Sequence, residues 1–259
     1  MRNLLISLSI LAGLAAFVAA QEAGREPAAD PARQVIQRAV EAMGGDAYLN
    51  MDRTYSRGRY FTFRRGRKGF ARYQDWTMYR PAVKWRFQLG EGKRSSIRII
   101  DLEAGKGWLL EGKSSIEELP AEEIEDFARG VKQDLDVLLR ERVDEPGMSL
   151  FYYGPDEVAG EGEYEAVEFI DEENLSVVVF FDRETHRPEK LETSFRDKQG
   201  FRHKQEVELS NWHTIQGVTL PLRVDVYVDE EISSQRFVEE LQVNPKFPAG
   251  VFEPKRLDD

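Results

Sequence analysis

Between Gly217 and Val228 the chain reads G-V-T-L-P-L-R-V-D-V-Y-V, so that Leu220, Leu222, Val224, Val226 and Val228 alternate with Pro221, Arg223, Asp225 and Tyr227. Successive side chains of a strand point to opposite faces, and this period of two gives one aliphatic and one polar face. The alternation recurs in Val83, Trp85, Phe87 and Leu89 against Lys84, Arg86 and Gln88. It recurs again in Phe237, Glu239, Leu241 and Val243 against Arg236, Val238, Glu240 and Gln242. Repeated strands with one apolar face predict a large antiparallel sheet.

Strands are predicted at 54–64, 68–79, 83–89, 95–102 and 106–112, and again at 164–170, 175–181, 188–195, 202–212, 218–228 and 232–243. Turn segments separate them, among them Arg65-Gly66-Arg67, Gly90-Glu91-Gly92, Asp171 to Asn174, Arg183 to His186 and Asp229-Glu230. Two stretches change the period. Asp30 is placed as an N-cap, Pro31 follows at the first helical position, and Val35, Ile36, Ala39, Val40 and Met43 form one helical stripe that Gly44-Gly45 ends. A second helix opens at Pro120, carries Glu122, Glu123, Glu125 and Asp126 early and Arg140 and Arg142 late, and repeats Ile124, Phe127, Val131, Leu135 and Leu138 at spacings of three and four. Gly130 is its candidate bend. Both stripes need an apolar surface to cover, so Val40, Met43, Ile124, Phe127, Val131 and Leu135 are expected to form a lid over the sheet. The segment from Asp144 to about Glu157 holds Met148, Leu150, Phe151, Tyr152 and Tyr153. It reads as a loop whose aromatics pack onto helix and sheet edge, with a flap over a cavity mouth as the alternative.

The first 20 residues change the setting. Arg2, the apolar run Leu4 to Val18 and the small residues before Gln21 read as a cleaved secretory signal, and 21–30 as a disordered lead-in. Residues 31–259 then make one mainly β domain with two helices. With no cysteine at the cleavage site for a lipid anchor, a soluble periplasmic or secreted product without a transmembrane segment is expected. The absence of cysteine throughout also excludes disulfides, thiolate metal sites and thiol nucleophiles. A formal net charge of −11 disfavours nucleic acid. Against that sign, Arg53, Arg57, Arg59, Arg64, Arg65, Arg67, Lys68 and Arg72 crowd one hairpin. They read first as a solvated strand face, and otherwise as a docking patch for anionic headgroups or an acidic partner.

Catalytic chemistry is sparse. The three histidines, His186, His203 and His213, have no carboxylate at metal-ligand spacing, and no HExxH, nucleophile elbow or phosphate loop occurs, so all three are expected at the surface. Neither a cofactor nor a metal is expected. Among the abundant carboxylates, Asp75 and Glu239 are the pair to inspect for hydrolysis. What stands out is wide apolar side chains on consecutive strands: Phe61, Phe63, Trp76, Trp85, Phe87, Leu89, Trp108 and Leu110. With Leu222, Val224 and Val226 they are the candidate lining of an apolar cavity, and a filled core is the alternative.

Several segments resemble the LolA-like superfamily of periplasmic lipoprotein carriers and outer-membrane lipoprotein-sorting proteins. They are Tyr79-Arg80-Pro81 with Trp85-Arg86-Phe87, Asp101 to Leu110 with Gly105-Lys106-Gly107-Trp108, and Gly162 to Val167 with Phe181 to Thr185 and Pro188. Gly217 to Pro221, Val243-Asn244-Pro245 and Phe252-Glu253-Pro254 complete the series in the same order. The resemblance implies a curved antiparallel sheet forming an incomplete β-barrel, covered by helices, whose concave face receives acyl chains. It also implies that Arg80 matches a basic residue near the cavity mouth, where it holds the lid or meets a headgroup. The expected function is that of a non-enzymatic periplasmic carrier of a lipid or an acylated protein, with an inner- or outer-membrane docking partner. An envelope interaction module with a closed core is the alternative.

Overall fold

Each strand pairs with its neighbour in antiparallel register, and the joined ladders make one sheet. In the computed structural model, which describes residues 30–64, 66–92, 95–112, 115–155, 163–197 and 199–257, the strands are β1 Arg53–Arg64, β2 Arg67–Met78, β3 Lys84–Leu89, β4 Ser96–Asp101, β5 Lys106–Glu111 and β6 Ser115–Glu118, then β7 Ser149–Tyr153, β8 Tyr164–Ile170, β9 Ser176–Asp182, β10 Pro188–Arg196, β11 Arg202–Ile215, β12 Val218–Val228 and β13 Glu231–Val243. The signal segment and nearly all of the lead-in fall outside the described residues. The sheet has 13 strands in the order β6-β5-β4-β3-β2-β1-β13-β12-β11-β10-β9-β8-β7. Two meanders meet where β1 pairs β13, and the sheet is curved and not closed into a barrel. Asp229 and Glu230, both at positive φ, make the tight β12–β13 turn whose twist suits a hairpin.

Strands β6 and β7 depart from expectation. The aromatic segment is the edge strand β7, whose Tyr153 hydroxyl donates to Glu168 at 2.7 Å. The helices also differ. Among the described residues there are four: α1 Pro31–Ala42, α2 Asp46–Leu49, α3 Ala121–Lys132 and α4 Leu135–Val137, the last continuing as a π-helical turn, Leu138–Arg142. The expected single helix from Pro120 to Arg142 breaks because the Asp134 carboxylate accepts from the backbone N–H of Asp136 at 3.0 Å and of Val137 at 3.3 Å, starting a new helix. Arg140 and Arg142, expected to complement the dipole at the end of that helix, are buried and bond to carbonyls and acids instead.

α1 begins as its sequence indicates, with Asp30 accepting from Ala32 N–H at 3.0 Å and Pro31 at the first position. It ends at Gly44, with φ of 121°, against which the Gly217 carbonyl sits so closely that any Cβ would strike it. Beneath α1 the core is solid: Ala39, Met43, Val179 and Phe181 are fully buried. The other side of the sheet is covered too. The segment 244–257 crosses the outer face of β2 to β5, where Arg86, itself fully buried, donates to the carbonyls of Val251 at 3.2 Å and Lys255 at 2.9 Å. Burial and the neighbouring Arg256 pull its guanidinium down to about 10. A small second core of Ile97, Ile99 and Leu110, joined by Trp108 and Phe252, lies on this face.

Candidate functional site

Between the inner face of the sheet and helices α3 and α4 lies a cavity of 630 Å³, within the roughly 300–1,000 Å³ range of small-molecule sites. Trp85 and Phe87 of β3 and Val224 and Val226 of β12 form its walls. Phe127 and Val131 of α3, with Leu135 of α4, face them, and Met43 reaches it from the core. The Phe127 ring stacks on Trp85 at 5.0 Å, and Trp85 on Phe87 at 5.5 Å. Apart from Met43 these apolar residues are only half-buried, in contrast to the solid packing under α1. The molecule is therefore filled on one side and open on the other.

The remaining expected residues lie elsewhere. Leu89 and Leu222 share the parity of the inner face but do not line the cavity. Val40 packs against the main core, and Ile124 is half-buried on α3 away from the wall. Phe61, Phe63, Trp76, Trp108 and Leu110 are on the outer face. Phe61 there meets Phe70 at 5.2 Å, Phe237 at 5.7 Å and the Lys68 ammonium at 4.6 Å, and Trp76 carries the Arg86 guanidinium at 5.7 Å. Ring width cannot distinguish the two faces when both are covered.

A bulge explains another reversal. Ser56 pairs with Leu241 and Arg57 with Glu240, but Gly58 pairs with Val238, so β13 carries one extra residue at Glu239 and its parity flips. Leu241, Val238, Arg236 and Ser234 all face the cavity, while Phe237 and Glu239 point outward. Asp75 and Glu239 consequently occupy opposite faces: Glu239 pairs with Arg59 and Arg72, both at 2.9 Å, and Asp75 lines the cavity. They do not form a catalytic pair.

The bulge brings a charge inside. Arg236 Nη1 approaches Asp75 Oδ2 at 3.4 Å, and Thr77 donates to Asp75 Oδ1 at 2.9 Å. Burial, partly offset by Arg236, raises the Asp75 carboxyl above its usual range. Arg236 reaches deep into the protein, yet 36% of its side chain remains open to the cavity. Opposite it, Asp136 accepts from the Tyr48 hydroxyl at 2.8 Å and the Tyr79 hydroxyl at 3.2 Å, and Arg140 stacks 4.5 Å above Tyr79. Asp134, open to solvent through the cavity, is pushed up to about 6 by its desolvated surroundings and by Asp136. The site is amphipathic rather than purely apolar. Arg236, Asp134, Asp136 and Gln133 escaped sequence reading, and the only local signal was the cap pattern Asp134-Leu135-Asp136.

Arg80 does not line the cavity. Its Nε donates to Glu141 at 2.7 Å and one Nη to the Leu49 carbonyl at 2.9 Å, tying the β2–β3 connection to α2 and to the π-helical turn. His203 lies on the surface between Asp197 at 3.2 Å and Asp229 at 2.6 Å. Among the described residues, no helix is long and apolar enough to cross a membrane, and no cluster of three or more His, Asp or Glu is arranged to hold a metal ion.

No family model matches the chain, and no curated protein matches it. Solved structures do. It is similar to a DUF1329 family protein from Desulfovibrio piger, with 14% identity over 86% of this chain and 98% of that one, at a TM-score of 0.58. It is also similar to a domain from Vibrio parahaemolyticus named for outer membrane lipoprotein sorting, with 10% identity, 86% and 97% coverage and a TM-score of 0.55. A LolA superfamily protein from Nitrosomonas europaea matches at 13% identity, 86% and 98% coverage and a TM-score of 0.53. Identities this low carry the fold alone, and that fold is LolA-like.

Proposed function

We propose that this LolA-like fold serves as a carrier in the cell envelope, shielding the hydrophobic part of a lipid or of an acylated protein in the cavity under α3 and α4. One observation supports the reading above the others: Trp85, Phe87, Val224, Val226, Phe127, Val131 and Leu135 face a common space and remain half-buried. Each methylene that leaves water for such a surface gains about 0.8 kcal/mol, so partition alone supplies affinity. Helix α3 contains no fully buried residue, which makes it the element that gives way to a guest. The ties from Asp136 to Tyr48 and Tyr79, and from Arg80 to Glu141, hold the other end of this helical lid in place. Release then follows from lid motion or from a membrane-bound partner competing for the acyl chain, with no bond made or broken. A periplasmic location follows from the signal-like first 20 residues. A docking module with a closed core is the weaker reading, because the core beneath α3 is not closed. Native mass spectrometry of protein purified without detergent tests the proposal: a bound acyl species supports it, and no copurified lipid together with no uptake of acyl probes overturns it.

A further inference from the structure

Two N–H groups at the cavity have no hydrogen-bond partner although each is shut off from solvent: Nε of Arg236 on β13 and Nε2 of Gln133 just past the end of α3. Native interiors leave few buried donors unpaired, and each one calls for a missing acceptor. Both residues line the one cavity, and Asp134, the residue after Gln133, is among the charges that act on Arg236. The charges around them narrow the choice of acceptor. Among the described residues, Asp75, Asp134 and Asp136 bring three carboxyls to the lining, Arg236 is its only cation, and Arg236 already faces Asp75.

Resting on the carrier reading above, we propose that the cavity selects its ligand by a neutral carbonyl at the head of the acyl chain, an ester or an amide. That oxygen accepts from Arg236 Nε and Gln133 Nε2 once α3 gives way to the chain and uncovers them. A free carboxylate would satisfy the same donors but would add a negative charge beside three carboxyls. An ammonium head would suit the carboxyls, yet it has no acceptor to offer and meets Arg236. A plain alkyl chain would fill the apolar wall and leave both donors unpaired. Gln133 and Arg236 are thus specificity-determining residues, while Trp85, Phe87, Val224 and Val226 supply affinity without discrimination.

The test is competition at neutral pH, with the delipidated full chain, against N-phenyl-1-naphthylamine, an apolar dye that has no carbonyl. The competitors share one C12 chain: laurate, 1-monolauroylglycerol and N-lauroylglycinamide, all below their micelle concentrations. The ester and the amide are expected to displace the dye about tenfold better than laurate, a difference of about 1.4 kcal/mol. A stronger ester than amide points to a glycerolipid, and the reverse to an N-acylated protein. Gln133→Leu and, separately, Arg236→Met should shrink the preference severalfold, read within each variant as the ratio of the neutral heads to laurate so that any change in dye affinity cancels. Gln133→Leu keeps the test decisive if loss of the Asp75 partner unfolds the arginine variant. Laurate competing as well as or better than the neutral heads, with the dye bound, overturns this inference and leaves the carrier reading standing. Failure of the dye to bind at all overturns both.

Discussion

Phe127 lies flat against Trp85 across the open side of the molecule, ring centroids 5.0 Å apart and planes at 26°. The pair is the principal aromatic contact between α3 and the sheet, and neither ring is fully buried. Phe127→Ala should cost about 1–2 kcal/mol from lost ring contact and burial. It should also shift Trp85 emission to the red, as water reaches the indole. Urea unfolding followed by fluorescence measures both, and an unchanged emission maximum would show that α3 does not shelter Trp85.

Tyr48 and Asp136 form the firmest link between α2 and the helical segment, at 2.8 Å with Tyr48 fully buried. Tyr48→Phe keeps the ring and removes the donor, leaving an anionic oxygen short of a partner. The expected loss is about 1–3 kcal/mol. Tyr79→Phe, acting on the longer 3.2 Å bond, should lose less. Chemical denaturation of the two variants side by side checks the order, and equal or inverted losses would count against this anchor.

Asp134 gives the fold a pH dependence of defined sign. Its folded pKa of about 6 stands above the 3.8 of an ordinary aspartate, so ionisation opposes folding. That opposition is absent at acid pH, grows between about pH 4 and 6, and is constant above. Asn also caps helices, so Asp134→Asn preserves the bonds to Asp136 and Val137. The variant should gain stability relative to the parent as pH rises through that window, then hold a constant difference. A flat difference from pH 4 to 7 would mean that Asp134 does not titrate in this range.

Gly58 sits opposite the β13 bulge, with the Phe237 carbonyl where a Cβ would stand. Gly58→Ala should cost about 1–3 kcal/mol, because the backbone of one strand must shift. Thermal unfolding reads the loss directly. A neutral substitution would show that the bulge is looser than its register indicates.

That bulge also marks where the sequence stopped being legible. Period two located eleven of the 13 strands to within three residues at either end, because Val224, Val226, Trp85 and Phe87 alternate without interruption. Periodicity says which residues share a face within one uninterrupted strand, but it says neither which face is inward nor that the parity survives an extra residue. Hence period two groups Glu239 with Phe237 and Leu241 on one face and Arg236 with Val238 on the other, whereas the bulge puts Leu241, Val238 and Arg236 on the cavity side. Trp76, Trp108 and Leu110 misled for a different reason: the segment 244–257 buries them from outside, a contact between positions too far apart for local pattern to register. Tyr48, Tyr79 and Asp136 likewise meet only in three dimensions, 57 to 88 positions apart. The short β6 and β7 lacked enough alternation to be distinguished from loop.

The central claim is that an acyl chain occupies the space in front of Val226, and filling that space is its most direct test. Val226→Trp places an indole in the 630 Å³ cavity without touching the core under α1. The measurement is the fluorescence gain of N-phenyl-1-naphthylamine on titration with the parent and the variant, each checked for a cooperative melt. Saturable binding to the parent, reduced at least tenfold in a folded Val226→Trp, is the predicted result. Undiminished binding to the folded variant would contradict the claim.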